Sequence, residues 1–191
     1  SVRLGVKQSL MVVDMPYNTY NSNNSAFQNA KKILKKTKCD AVKLEGGKKI
    51  INQIKYLIKK KIPVMGHLGL LPQTAKGKFK SKGKSTRETK QLIKDALLLQ
   101  SNGVFAIVLE CVKASTAKKI TQSLKIPTIG IGSSVYCDGQ VLVTDDLIGL
   151  NNTKIKFVKK FINIKKYKNI GLKKYSKDVK LRKYPTKKHS Y

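Results

Sequence analysis

Short apolar runs alternate with stretches of helical periodicity along most of the chain. Leu10-Met11-Val12-Val13 reads as a buried strand ending at Asp14, and Asn24 and Ser25 can cap a following helix whose Phe27, Ala30, Ile33 and Leu34 share one face. Asp40 to Leu44 forms the next strand, ending at Glu45, and leads to a helix with the stripe Ile50, Ile51, Ile54, Leu57 and Ile58. A third strand runs from Pro63 to His67, and a long polar loop spans Leu70 to Lys84. Ser85-Thr86-Arg87-Glu88 has the form of a capping box, opening a helix through Leu92, Ile93, Ala96, Leu97 and Leu99 that Gly103 is suited to end. Val104 to Leu109 is the most apolar strand and stops at Glu110-Cys111; Ala114, Ala117, Ile120 and Leu124 mark another helix. Two further strands are expected, at Pro127–Gly132 and Gln140–Val143.

Near-continuous apolar strands alternating with amphipathic helices predict an α/β fold with a parallel sheet covered by helices. Six strands fit an open doubly wound sheet as it stands, or a (β/α)8 TIM-type barrel short of two strands and roughly 60 of its usual 250 residues. The predicted organisation is a six-stranded domain over residues 1–150 and a lysine-rich tail over 151–191. Ile155, Phe157, Val158 and Phe161 would form an amphipathic helix of that tail and dock it.

The net charge of +31 on 191 residues raises the question of nucleic acid. All basic residues except Arg3, Arg87 and Arg182 are lysines, whereas base-reading surfaces favour the arginine fork. The lysines are spread over every expected helix among many Asn and Ile residues, which reads as compositional bias on solvated faces and argues against a nucleic-acid partner. No apolar run approaches the roughly 20 residues that span a bilayer, so no membrane association is expected. The start, Ser1-Val2-Arg3-Leu4-Gly5, has no signal-peptide character and no initiator Met. Cys39, Cys111 and Cys137 are odd in number and widely spaced, which speaks against a zinc site or disulfide framework and for a reducing cytoplasm.

Of ten acidic residues, Asp14, Glu45 and Glu110 directly follow apolar strand cores. In an α/β barrel such positions line the C-terminal mouth, where carboxylates can hold a hard cation such as magnesium; a single strand-end acid would as readily cap the next helix. Lys43 lies two residues before Glu45, hence on the same side of its strand, where an unpaired ammonium is costly. It is expected to face carboxylates or a bound anion. His67, at another strand end, could contact substrate or complete a polar layer. Cys111 is expected to be a packed small hydrophobe, and Gly130-Ile131-Gly132-Ser133-Ser134 is either a phosphate loop or a tight turn.

In order, Val13-Asp14-Met15-Pro16-Tyr17, Val42-Lys43-Leu44-Glu45-Gly46-Gly47, Gly66-His67-Leu68-Gly69-Leu70 with Pro72-Gln73, and Val108-Leu109-Glu110-Cys111-Val112 resemble the ketopantoate hydroxymethyltransferase family. The resemblance continues through Ile126-Pro127-Thr128-Ile129-Gly130-Ile131-Gly132, Asp138-Gly139-Gln140-Val141-Leu142-Val143, Tyr184-Pro185 and His189-Ser190-Tyr191. It implies a barrel of the phosphoenolpyruvate/pyruvate kind, assembled as a decamer in the cytoplasm and acting in pantothenate biosynthesis. The implied reaction transfers a hydroxymethyl group from 5,10-methylenetetrahydrofolate to 3-methyl-2-oxobutanoate, giving 2-dehydropantoate. By the family pattern Asp14 and Glu45 belong to a magnesium site, Asp14 and Lys43 contact the oxo acid, and Glu110 is the proton acceptor. The family usually has another Gly after Gly-Ile-Gly, where Ser133-Ser134 stand here.

Two other functions fit parts of the pattern: a non-catalytic basic protein binding RNA or another polyanion, and a folate-independent 2-oxo acid lyase or mutase on the same fold. The family's first two strands, the second ending in Asp-Ser, have no counterpart in this sequence. The chain alone is therefore expected to behave as an inactive, poorly soluble fragment with exposed edges at Leu10–Val13 and Gln140–Val143.

Overall fold

The computed structural model describes residues 2–75, 80–152 and 154–191. The central part of the polar loop expected at Leu70–Lys84, residues 76–79, lies outside them. The chain divides into two compact units, Ser1–Val141 and Leu142–Tyr191.

The first unit opens with a short helix α1 (Val2–Gly5) and continues as β1 (Val12–Asp14), α2 (Asn23–Thr37), β2 (Ala41–Glu45), α3 (Ile51–Lys59) and β3 (Val64–Gly69). It goes on through α4 (Thr86–Ser101), β4 (Ala106–Glu110), α5 (Ala114–Ser123), β5 (Thr128–Ile131) and β6 (Gly139–Gln140). All six strands pair in parallel in the order of the sequence, β1 to β6. Helical crossovers of one hand between successive neighbours put α2 to α5 on a single side of the sheet. The result is an α/β fold with a six-stranded parallel half-barrel sheet.

The period of two along each strand separates the faces. Val42, Leu44, Val64, Leu68, Ile107 and Leu109 point to the helices and are at most 3% exposed, packing with Ile54, Leu57, Leu99 and Ile120. Gly66 lies on this side, where a Cβ would come within 3.0 Å of Leu99 and 3.4 Å of Val104. Truncating one of these residues, Leu57→Ala for instance, would cost about 2–5 kcal/mol through lost transfer energy and the cavity left behind. The opposite face carries Lys43, Glu45, His67 and Glu110.

Several local expectations shift. The cap of α2 is Ser22, not Asn24 or Ser25: Ser22 Oγ accepts from Ser25 N at 3.1 Å while Ser25 Oγ accepts from Ser22 N at 3.0 Å, a reciprocal box. Ser85 caps α4 as expected, accepting from Glu88 N, but the Glu88 carboxylate reaches the backbone of Lys84 rather than that of Ser85. The last strand is shorter than expected. Val141 N still donates to Gly130 O at 3.0 Å, but Val143 O already accepts from Asp146 N in the turn of α6 (Thr144–Leu147).

In the second unit, the expected helix around Ile155–Phe161 is a turn, and the helix lies further on, as α7 (Ile164–Lys180), with Asn163 Oδ1 accepting from Lys166 N at 3.0 Å. The segment 155–162 is dense in β-branched and aromatic residues, whereas 164–180 has seven unbranched lysines among its 17 residues and a capping Asn in front.

Candidate functional site

The polar residues of the open face assemble at the C-terminal ends of β1 to β4. Register explains why: Asp14 pairs with Lys43, Glu45 with His67 and Gly69 with Glu110, so parallel pairing carries each strand-end group to its neighbour's. Lys43 Nζ lies 2.9 Å from Asp14 Oδ1 and 3.0 Å from His67 Nδ1. On the far side of the imidazole, Nε2 stands 3.3 Å from Glu110 Oε2, too poorly aligned for a hydrogen bond, and Nδ1 is 3.9 Å from Glu45 Oε1. All five residues singled out in the sequence therefore form one connected cluster.

Burial is graded across it. His67 and Glu45 are buried, Lys43 and Glu110 nearly so, and the Asp14 side chain is 55% exposed, so that its pair with Lys43 is open to solvent at one end only. Burial holds the Glu45 carboxyl above its ordinary range, outweighing the opposing influence of His67, the Gln73 amide and Lys43. The Cys111 thiol is likewise raised, by burial and by the neighbouring Glu110, and the side chain is buried, in keeping with the packed small hydrophobe expected.

Three participants were not singled out. Gln73 donates its backbone N–H to Glu45 Oε2 at 3.2 Å and its side-chain Nε2 to Met15 O at 3.1 Å, tying the loop after β3 to the ends of β1 and β2. Its Oε1 is buried and, among the described residues, unbonded, like His67 Nε2. Tyr20 is buried beside Glu45, with its phenol raised first by burial, and lines a cavity of about 980 Å³ with Tyr17, Glu45, Gln53 and Asp95. Ser133 bonds the backbone on both sides of Glu110. Pro72-Gln73 could have pointed to the first of these through its place in a motif. Ser133 stands out in sequence only as part of the Gly130–Ser134 turn, not as a partner of the Glu110 backbone, and Tyr20 gives no signal in sequence because loop conformation decides its position.

Among the described residues no group of three or more His, Cys, Asp or Glu side chains is arranged to hold a metal ion. Asp14 and Glu45 nevertheless offer a hard-oxygen pair on one face. Each keeps one carboxylate oxygen, Asp14 Oδ2 and Glu45 Oε1, free of hydrogen bonds among the described residues. Magnesium commonly takes only one or two protein carboxylates and fills its octahedron with water and substrate oxygens. The donor set fits that ion, and a carboxylate whose charge is disfavoured by burial is one that a cation would stabilise.

Residues 1–187 match the model of the family described as ketopantoate hydroxymethyltransferase. The 3-methyl-2-oxobutanoate hydroxymethyltransferase of Pelagibacter ubique (strain HTCC1062) is 64% identical over 191 residues, all of this chain and 74% of that protein. The enzyme of the same name from Rhizobium etli (strain ATCC 51251) is 44% identical over 195 residues, covering 100% of this chain and 71% of its own length. Among solved structures, the dihydrodipicolinate synthase of Agrobacterium tumefaciens str. C58 is 12% identical with a TM-score of 0.45, over 73% of this chain and 50% of that one, a likeness too slight to bear on chemistry. With the family match spanning nearly every residue and the motifs meeting in one cluster, this chain belongs to the ketopantoate hydroxymethyltransferase family.

Proposed function

We propose that the cluster around Lys43 is the active site for hydroxymethyl transfer to 3-methyl-2-oxobutanoate, the reaction for which the chain's relatives are named. The observation that carries the reading is the contact series Asp14–Lys43–His67–Glu110, in which an ammonium paired with Asp14 at 2.9 Å and a carboxylate flank a single imidazole at 3.0 and 3.3 Å.

Asp14 and Glu45 would hold magnesium, which supplies positive charge to draw electron density from the carboxylate and 2-oxo oxygens of the substrate. Asp14 and Lys43 would contact the oxo acid, the Lys43 ammonium adding charge beside the 2-oxo oxygen as negative charge develops there. Glu110 would accept the proton leaving C3, a carboxylate on the same sheet face as Lys43 and 3.3 Å from His67 Nε2. Water would cleave the two C–N bonds of the methylene bridge of 5,10-methylenetetrahydrofolate, freeing tetrahydrofolate and a one-carbon aldehyde. The C3 carbanion, delocalised as the enolate, would add to that aldehyde carbon, and its oxygen, taken from water, would gain a proton to give the hydroxymethyl group of 2-dehydropantoate. His67 borders the substrate pocket and separates the cationic from the proton-accepting end.

The larger setting follows the family: a complete TIM-type barrel of the phosphoenolpyruvate/pyruvate kind, a decameric homo-oligomer, and a cytoplasmic enzyme. Three free, buried cysteines agree with a reducing compartment, and no helix among the described residues is long and apolar enough to cross a membrane.

The metal roles are tested by stripping divalent ions, titrating magnesium back and following loss of the C3 hydrogen to deuterated solvent by NMR. Asp14→Asn and Glu45→Gln should each raise the magnesium concentration for half-restoration by about 10-fold or more, the loss expected on removing a charged oxygen ligand. Variants that titrate like the parent would remove both residues from the metal site.

A further inference from the structure

A buried base is useful only if its backbone is held still, and the backbone around Glu110 is unusual. Cys111, the next residue, has φ +50°, in the left-handed region that a non-glycine residue enters at a cost of roughly 1–2 kcal/mol. Something must hold the chain there. Backbone bonds supply part of the hold: Leu70 N donates to Glu110 O at 2.8 Å, Cys111 N to Ile131 O at 2.9 Å and Lys82 N to Cys111 O at 2.8 Å.

The remaining contact comes from a side chain. Ser133 Oγ donates to Leu109 O at 2.6 Å and accepts from Val112 N at 3.1 Å, so one hydroxyl spans the residue before Glu110 and the second residue after it. Among the described residues it is the only side chain bonded to the backbone of 109–112, and the only partner of Val112 N. Val112 is 2% exposed, so water cannot easily replace that partner. Glycine or alanine at this position would fill the same turn without either bond, so the hydroxyl is a specific feature of the Ser133-Ser134 sequence.

We propose that Ser133 is a positioning residue for Glu110, clamping the Leu109–Val112 turn so that the Glu110 carboxylate faces the substrate's C3 hydrogen. The proposal rests on Glu110 being the proton acceptor. Ser133 acts by fixing the left-handed Cys111 turn, and through it the carboxylate 3.3 Å from His67 Nε2. Its loss frees a buried N–H and lets the turn relax, moving the base by a fraction of an ångström to an ångström without removing any group that binds the oxo acid.

The experiment measures C3 hydrogen–deuterium exchange of 3-methyl-2-oxobutanoate by NMR for the parent enzyme, Ser133→Ala, Ser133→Thr and Glu110→Gln, with thermal unfolding of each as a control. Ser133→Ala should lower kcat about 10- to 100-fold, the cost typical of a misplaced catalytic group. KM should stay within about two-fold, because ground-state binding is untouched. Ser133→Thr, which keeps the hydroxyl, should return kcat to near the parent value. Should Ser133→Ala fail to fold, Ser133→Cys, of similar size but a weak hydrogen-bonding group, carries the same expectation. Parent-like kcat in the folded Ala or Cys variant, or a Thr variant as slow as Ala, overturns the proposal while a silent Glu110→Gln leaves the base assignment standing. Parent-like exchange in Glu110→Gln would overturn the base assignment and the positioning role with it.

Discussion

The ammonium of Lys43 lies 3.0 Å from Nδ1 of His67. An ammonium has hydrogens to give and no lone pair, so Nδ1 must accept and the ring hydrogen must sit on Nε2, facing Glu110. A tautomer is thereby chosen by a neighbour on the next strand. Long-range nitrogen–proton NMR correlations of His67 should show the Nε2–H form in the parent, and Lys43→Met should release the ring to a mixture of tautomers. A ring found protonated only at Nδ1 in the parent would contradict the contact.

Glu45 gives a stability expectation with a definite sign. Burial raises its pKa in the folded chain above the ordinary value of 4.5, so the folded state binds the proton more tightly than the unfolded state does. Metal-free stability from this group is therefore fully present below the unfolded value and falls as pH rises through the folded one. Glu45→Gln removes the titration, and urea midpoints of the variant should decline less than those of the parent as pH is raised from about 4 towards neutrality. Equal declines in the two proteins would show that Glu45 is not held back by burial.

Gly69 ends β3 with φ +97°, and a Cβ there would collide with the carbonyl oxygen of Glu110. Gly69→Ala must both adopt a strained backbone and push the end of β4 aside. It should cost on the order of 2–4 kcal/mol of stability and slow C3 exchange more than it weakens oxo-acid binding. An alanine variant with parent-like melting and exchange would show that β3 and β4 can separate at this point without consequence.

Strand count, order of elements and the five cluster residues were all legible from the chain. Buried parallel strands write themselves as runs such as Val104–Leu109, and an acid directly after such a run has few places to point. Lys43 stood out because a lysine within Ala41–Leu44 needs a partner, and Asp14 is that partner. What the pattern did not carry depends on loop geometry or competing local choices. Ser22 wins the cap of α2 over Asn24 because the box with Ser25 satisfies two backbone groups at once. The long helix of the C-terminal unit, α7, begins at Ile164 because the apolar residues from Ile155 to Ile162 are poor helix formers despite their spacing. Gln73, Tyr20 and Ser133 reach the site across 28, 25 and 23 residues of sequence from Glu45, Glu45 and Glu110, and no periodicity encodes such meetings.

The most direct measurement is C3 hydrogen–deuterium exchange of 3-methyl-2-oxobutanoate by the Glu110→Gln enzyme, with magnesium present and oxo-acid binding followed in parallel. The glutamine keeps the shape of the side chain and removes the proton acceptor, so exchange should fall by about 10²–10⁴-fold, the usual worth of a general base, while the oxo acid still binds. Exchange at the parent rate in that variant would mean that the proton leaves to another group and that the cluster works in some other way.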